Sequence, residues 1–150
     1  MGMFTSINIA ATGTSVERLR TDVTSNNIAN ASTTRTPEGG KFQRSTVILE
    51  SRDGLQYRGV YTPEQYDNGA GSGVRVSAIQ VDTSEGRLVY DPTHPDAIKS
   101  GPHAGYVEYP NVNIVDEMVD LISASRAYEA NSSVIQGAKD MFQQALEIGR

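Results

Sequence analysis

Cysteine is absent from the 150 residues, which excludes disulfides and thiolate metal sites without fixing a compartment. Long apolar runs are missing as well; no stretch approaches the roughly 18 residues needed to cross a bilayer. Met1-Gly2-Met3-Phe4-Thr5 has neither a basic start nor a continuous apolar block, so no Sec signal peptide is expected and export would need another route. Basic residues are few, 13 Lys and Arg against 18 Asp and Glu, and form no run or stripe. A net charge of -5 without concentrated positive charge argues against nucleic acid as a partner. Apolar residues make up 37%, below the roughly 45–50% of ordinary globular chains. The expected core is thin, with apolar surface left for partners to complete.

What is present is rhythm at the two ends. Leu121, Ala124, Tyr128, Asn131, Ile135, Ala138, Phe142 and Ala145 recur at alternating spacings of three and four, the seam of a helix packed lengthwise on other helices. Asn113 as N-cap would place Asp116 at the third helical position with Glu117 beside it, where carboxylates favour a helix start. No proline follows Pro110, so about thirty-five residues of helix would reach about 50 Å, too long for a compact domain of this size. Near the other end Ile9, Val16, Leu19 and Val23 follow the same period into Asn26, Asn27 and Asn30. Its many Thr, Ser, Ile and Val residues lower intrinsic helicity, so packing must support it. The asparagines either cap the helix or hydrogen-bond across a packed array.

Between the ends the periodicity changes. Ser32 to Gly40 is too polar and broken for regular structure and is expected to be a linker or extended loop. Strand-like runs lie at Phe42–Ser51 and Leu55–Tyr61, joined by an Asp53-Gly54 turn. Val74, Val76 and Ala78 alternate with polar residues, and a hairpin at Ser84-Glu85-Gly86 is expected to return through Leu88 and Tyr90. Two prolines make Asp91 to Asp96 a rigid loop, and a short run at Tyr106–Tyr109 leads into Pro110. The expected class is α+β: long terminal helices packed as a coiled-coil-like inner layer, with a small antiparallel β module between them. Residues 1–36 and 106–150 would form a discontinuous helical assembly domain, and 37–105 the β-rich module.

No constellation points to catalysis. Gly69-Ala70-Gly71-Ser72-Gly73 lacks the following helix that a phosphate cradle needs, and reads as a turn. His94 and His103, with Asp91 or Asp96 near in sequence, have no metal-ligand spacing and lie on a broken loop. They are what a small metal-dependent hydrolase would have to use. No G-x-S-x-G element marks a nucleophile. No cofactor, metal or small-molecule substrate is expected.

Two longer motifs carry a resemblance. Asp22-Val23-Thr24-Ser25-Asn26-Asn27-Ile28-Ala29-Asn30-Ala31, then Thr33-Thr34-Arg35-Thr36, resembles the N-terminal signature of bacterial flagellar rod proteins. Tyr106 through Tyr109-Pro110-Asn111-Val112-Asn113 to Glu117-Met118, then Ser125-Arg126-Ala127-Tyr128-Glu129-Ala130-Asn131, resembles their C-terminal signature. Asp91-Pro92-Thr93-His94-Pro95-Asp96-Ala97, Pro37-Glu38-Gly39-Gly40 and the short length are similar to the proximal member. The Gly-Phe-Lys that often follows the first motif in distal relatives is replaced by Gly40-Lys41-Phe42, which favours the same member.

The resemblance implies a structural subunit of a drive shaft that crosses the periplasm and transmits motor torque. In that family terminal helices of neighbouring subunits form a tubular inner layer, the β module lies outside, and subunits leave the cytoplasm through the flagellar type III export apparatus. Implied partners are other rod subunits, further copies of itself, the export apparatus and the motor-ring base. Carried over by motif, Asn26, Asn27, Ile28, Ala29, Asn30, Pro110, Asn111, Met118, Ser125, Arg126 and Tyr128 become candidate subunit contacts. The helical seam adds Leu121, Ile135 and Phe142.

Overall fold

The computed structural model describes residues 3–37, 39–52 and 72–148. Six elements follow in order: α1 (Met3–Ala29), β1 (Ser45–Ser51), β2 (Val74–Val81), β3 (Arg87–Tyr90), β4 (Tyr106–Tyr109) and α2 (Ile114–Ile148). Two long helices with two small antiparallel sheets between them make the class α+β, as the sequence led one to expect. The strand expected at Leu55–Tyr61, its Asp53-Gly54 turn and the glycine run as far as Gly71 lie outside the described residues.

In α1 several hydroxyls are turned back on the helix's own carbonyls. Thr12 donates to the Ile9 carbonyl at 2.7 Å, Thr14 to Ala10 at 2.9 Å and Ser15 to Thr12 at 2.8 Å. The Thr12 oxygen also accepts from the Val74 N–H at 3.2 Å, tying the helix to the start of β2. The helix ends on its asparagines: the Asn30 side-chain amide donates to the Asn26 carbonyl at 3.0 Å and to the Asn26 side-chain oxygen at 2.9 Å. The same carbonyl also takes the Asn30 backbone N–H at 3.1 Å, so the last turn is held by backbone and side chain together.

α2 starts where the sequence indicated. Asn113 accepts from the Val115 N–H at 3.1 Å, and its amide donates to the Asp116 carboxylate at 2.8 Å. The helix then runs 35 residues, or about 50 Å.

β1 and β2 pair as one two-stranded sheet and β3 and β4 as another. The second is antiparallel, with Arg87 opposite Tyr109 and Tyr90 opposite Tyr106. The hairpin expected at Ser84-Glu85-Gly86 therefore does not form, since β3 joins β4 and not β2. The local reason is Asp82, whose carboxylate accepts from the Ser84 N–H at 2.9 Å and from its hydroxyl at 2.5 Å. This side-chain turn bends the chain one step before the expected corner. The same two bonds hold the Asp82 carboxyl below its ordinary value of 3.8.

The linker is more ordered than its composition suggested. The Phe42 N–H meets the Thr33 carbonyl at 3.1 Å, and Thr34 donates to Asp96 at 2.9 Å. Gly39 and Gly40 turn it with φ of 92° and 83°, a backbone that only glycine adopts without strain.

The chain divides into two compact units. One comprises Met1–Leu19, Ile48–Ala78 and Ala124–Arg150, the other Arg20–Val47 and Ile79–Ser123. In the first, Ala10, Val16, Ala124 and Ala138 are buried, and Phe4 meets Phe142 with ring centroids 6.2 Å apart. In the second, Val107 is buried together with Thr24, Asn27 and Glu117.

Candidate assembly surface

In the second unit a polar knot fixes the scaffold from which α2 departs. Asn27 is 1% exposed, and its amide treats Ser45 as a strand neighbour would. It accepts from the Ser45 N–H at 3.0 Å and donates to the Ser45 carbonyl at 2.8 Å. The remaining amide hydrogen goes to Glu117, also 1% exposed, at 3.0 Å. The other Glu117 oxygen takes the Arg44 Nε–H at 2.6 Å, while Arg44 also reaches Thr46 at 2.9 Å and lies 3.6 Å from Asp120. Every polar atom here has a partner, the condition under which buried charge is tolerated.

With that side of α2 committed, the opposite side stays in water. In the second unit Val115, Met118, Val119 and Ile122 are 52–66% exposed. In the first unit Val134, Met141, Leu146 and Ile148 are more than half exposed. Together they form an exposed apolar stripe at helical spacing, the kind of surface that marks an interaction site.

The expected seam of α2 points inward only in part. Ala124 and Ala138 are buried, and Leu121, Asn131 and Ile135 are half-buried, while Tyr128 and Phe142 stand at the margin and Ala145 is exposed. Of the residues carried over by motif, Asn26, Ala29, Met118, Ser125 and Arg126 face outward. Ile28, Asn30 and Asn111 are half-buried; Asn27 and Pro110 are buried. Asn111 donates to Asp82 at 3.1 Å, so its amide braces the turn after β2.

Two features escaped the sequence reading. Glu117 looked like a helix-start carboxylate, yet it falls at a seam position four residues before Leu121, and a charge there signals a buried ion pair. Gly13 sits mid-helix, and a Cβ on it would lie 2.7 Å from the Asn131 side-chain amide. A polar residue in one seam facing a glycine in the other was the available sign of close approach.

The second unit also carries a cleft of about 430 Å³ at the start of α2, lined by Ala31, Arg87, Tyr109, Val112 and Ile114 among others. The loop histidines have other employment. His94 Nδ1 accepts from the Asp96 N–H at 3.1 Å, and the His103 ring stands edge-on to Tyr106 with centroids 6.2 Å apart. Among the described residues no group of three or more His, Cys, Asp or Glu is placed to hold a metal. No helix of the described residues is long and apolar enough to cross a membrane.

Comparison with known proteins adds relatives to this geometry. Residues 7–35 match the family model for flagella basal body rod proteins, and residues 103–148 match that for the flagellar basal body rod FlgEFG protein C-terminal region. The flagellar basal-body rod protein FlgC of Borreliella burgdorferi is 58% identical over 149 residues, covering 99% of this chain and 98% of the relative. FlgC of Bacillus subtilis is 42% identical and that of Salmonella typhimurium 31%, each over the full length of both chains.

Proposed function

The chain belongs to the family of flagellar basal-body rod proteins FlgC, and on that premise we propose how it serves as a structural subunit of the rod. It joins other rod components in the flagellar basal body, and its task is mechanical. Segments 1–36 and 106–150 make the subunit contacts, and 37–105 forms a module outside them. The outward residues Asn26, Ala29, Met118, Ser125, Arg126 and Tyr128 touch neighbours directly. Asn27, Pro110, Leu121 and Ile135 act from inside by fixing the shape that neighbours meet. No step of this task requires a catalytic group, a cofactor or a small-molecule substrate. Further copies of the chain, the type III export apparatus and the motor-ring base complete the partners, and the assembled subunit resides in the periplasmic part of the envelope.

The observation that carries this reading is the exposure of Val115, Met118, Val119 and Ile122 along one side of α2. Burying one such side chain contributes about 1.5–3 kcal/mol. Spread along a helix and repeated in every subunit, contacts of that size make a stiff shaft without any single strong bond.

The test is a strain lacking this protein, complemented with Val119→Asp and Ile122→Asp together. Loss of rods and of motility is expected, with the helical circular dichroism of the purified chain unchanged. Leu121→Asp, on a half-buried side chain, should lose both assembly and thermal stability. Intact rods and normal motility with the outward pair would overturn the assignment.

A further inference from the structure

The outward sides of the two long helices carry charges whose order fits together in one direction only. On α1, Arg18, Asp22, Ser25 and Ala29 follow at spacings of four, three and four, and all are exposed. On α2, Val119, Ile122, Arg126 and Glu129 follow at three, four and three, and all are exposed. Residues at these spacings share one side of a helix. Arg18, Asp22, Arg126 and Glu129 make no ion pair among the described residues. Charge is therefore left over on both helices.

Along each helix the cation comes first and the acid one turn later. Laid parallel, the helices would set Arg18 against Arg126 and Asp22 against Glu129, like against like. Laid antiparallel, Arg18 meets Glu129 and Asp22 meets Arg126, and both contacts attract. Antiparallel is also how the helices run inside the first unit, where Phe4 packs on Phe142 and Gly13 approaches Asn131. A second match uses no charge at all. With Asp22 on Arg126, the following turns bring Ser25 beside Ile122 and Ala29 beside Val119. Ile122 and Val119 are more than half exposed, and small residues opposite leave the room that such side chains fill.

We propose that α1 of one copy of this chain lies antiparallel along the outward side of α2 of a second copy, with Arg18 on Glu129 and Asp22 on Arg126. The contact joins two different surfaces, so it is heterologous, and because each copy offers both surfaces it repeats from copy to copy. Charge order sets the direction, and the small residues of α1 cover the apolar side chains of α2. This pairing rests on the rod reading and goes beyond it by naming the neighbour, the direction and the register.

The chain has no cysteine, so a disulfide can report the contact. Two differently tagged copies are expressed together in the strain lacking this protein, one with Ala29→Cys and the other with Val119→Cys. Oxidation of purified basal bodies should join the two tags. Arg18→Glu in the first copy should lower the yield per incorporated chain about tenfold, the scale of a lost interfacial charge pair, with unchanged circular dichroism. Glu129→Arg in the second copy should then restore it, a rescue possible only between molecules. Arg126→Glu in place of Glu129→Arg should not. No disulfide between the tags, a yield that Arg18→Glu leaves unchanged or raises, or failure of the Glu129→Arg rescue would overturn the pairing. Absence of the unmutated chain from basal bodies would instead sink the rod reading, independently of the disulfide.

Discussion

The two units bury different chemistry. In one, the side chains withdrawn from water are Ala10, Val16, Ala124 and Ala138, each 4% exposed or less. In the other they include Thr24, Asn27 and Glu117, with Arg44 closing the charge. Small apolar residues let backbones approach but say little about register, because one alanine fits much like the next. An amide that bonds both backbone groups of Ser45 and one oxygen of Glu117 fits one arrangement only. Closeness in the first unit and register in the second are thus supplied by separate means. A buried polar group specifies at the risk of a large loss when its partner goes.

The largest expected effect breaks that contrast at its polar side. Glu117→Ala leaves the Asn27 amide and the Arg44 guanidinium without their shared acceptor, although Asp120 remains 3.6 Å from Arg44. Removing one partner of a buried pair costs about 3–5 kcal/mol. Ala124→Gly, at an equally buried site in the other unit, loses about 2 kcal/mol, from helix propensity and one methyl group. Urea denaturation of the two full-length variants measures both. Equal losses would mean that the knot is no more specific than the alanine contacts.

A middle-sized test lies in the two helical glycines. Gly13 has the Asn131 amide where a Cβ would go, whereas a Cβ on Gly137 would have no atom within 4 Å. Glycine in a helix interior costs about 1 kcal/mol relative to alanine. Gly137→Ala should therefore raise the stability of the isolated chain by about 1 kcal/mol. Gly13→Ala should lose that gain to crowding, and adding Asn131→Ala should return it. If Gly13→Ala alone stabilises as much as Gly137→Ala, close approach is not why the glycine is there.

These residues also mark how much of the molecule could be read from its sequence. Periodicity located both helices, and Asn113 with Asp116 located the start of α2, because caps and seams are local chemistry. The inward face of α1 was harder. Val16 is buried as its spacing indicated, but Ala10, Thr24 and Asn27 are buried with it, so the stripe is half polar and leaves little apolar rhythm. The pairing of β3 with β4 depends on the Asp82 turn and on partners some twenty residues away, which a hairpin rule based on Ser84-Glu85-Gly86 cannot weigh. For the candidate surface, outward positions such as Met118 and Arg126 were legible from motif and helical phase. The cleft around Arg87 was not, since it gathers residues from three separate stretches of the chain.

The smallest expected effect tests whether polar fixing weakens once it reaches the surface of the second unit. Lys41 Nζ lies 2.5 Å from the Glu108 carboxylate, which also takes the Gly86 N–H at 3.3 Å. These bonds, that of Lys41 first, hold the Glu108 carboxyl below its ordinary value of 4.5. A carboxyl lowered on folding adds stability that is fully present above its unfolded value and is lost as pH falls through the folded one. The Glu108 side chain is 40% exposed, so solvent screening limits the pair to at most about 1 kcal/mol, well below the Glu117 knot. Glu108→Gln should be slightly less stable than the parent chain at pH 7, and the gap should close on acidification below about pH 4.5. Denaturation midpoints at pH 7 and pH 3 decide it. A gap as wide at pH 3 as at pH 7 would assign the loss to side-chain packing, with the charge playing no part.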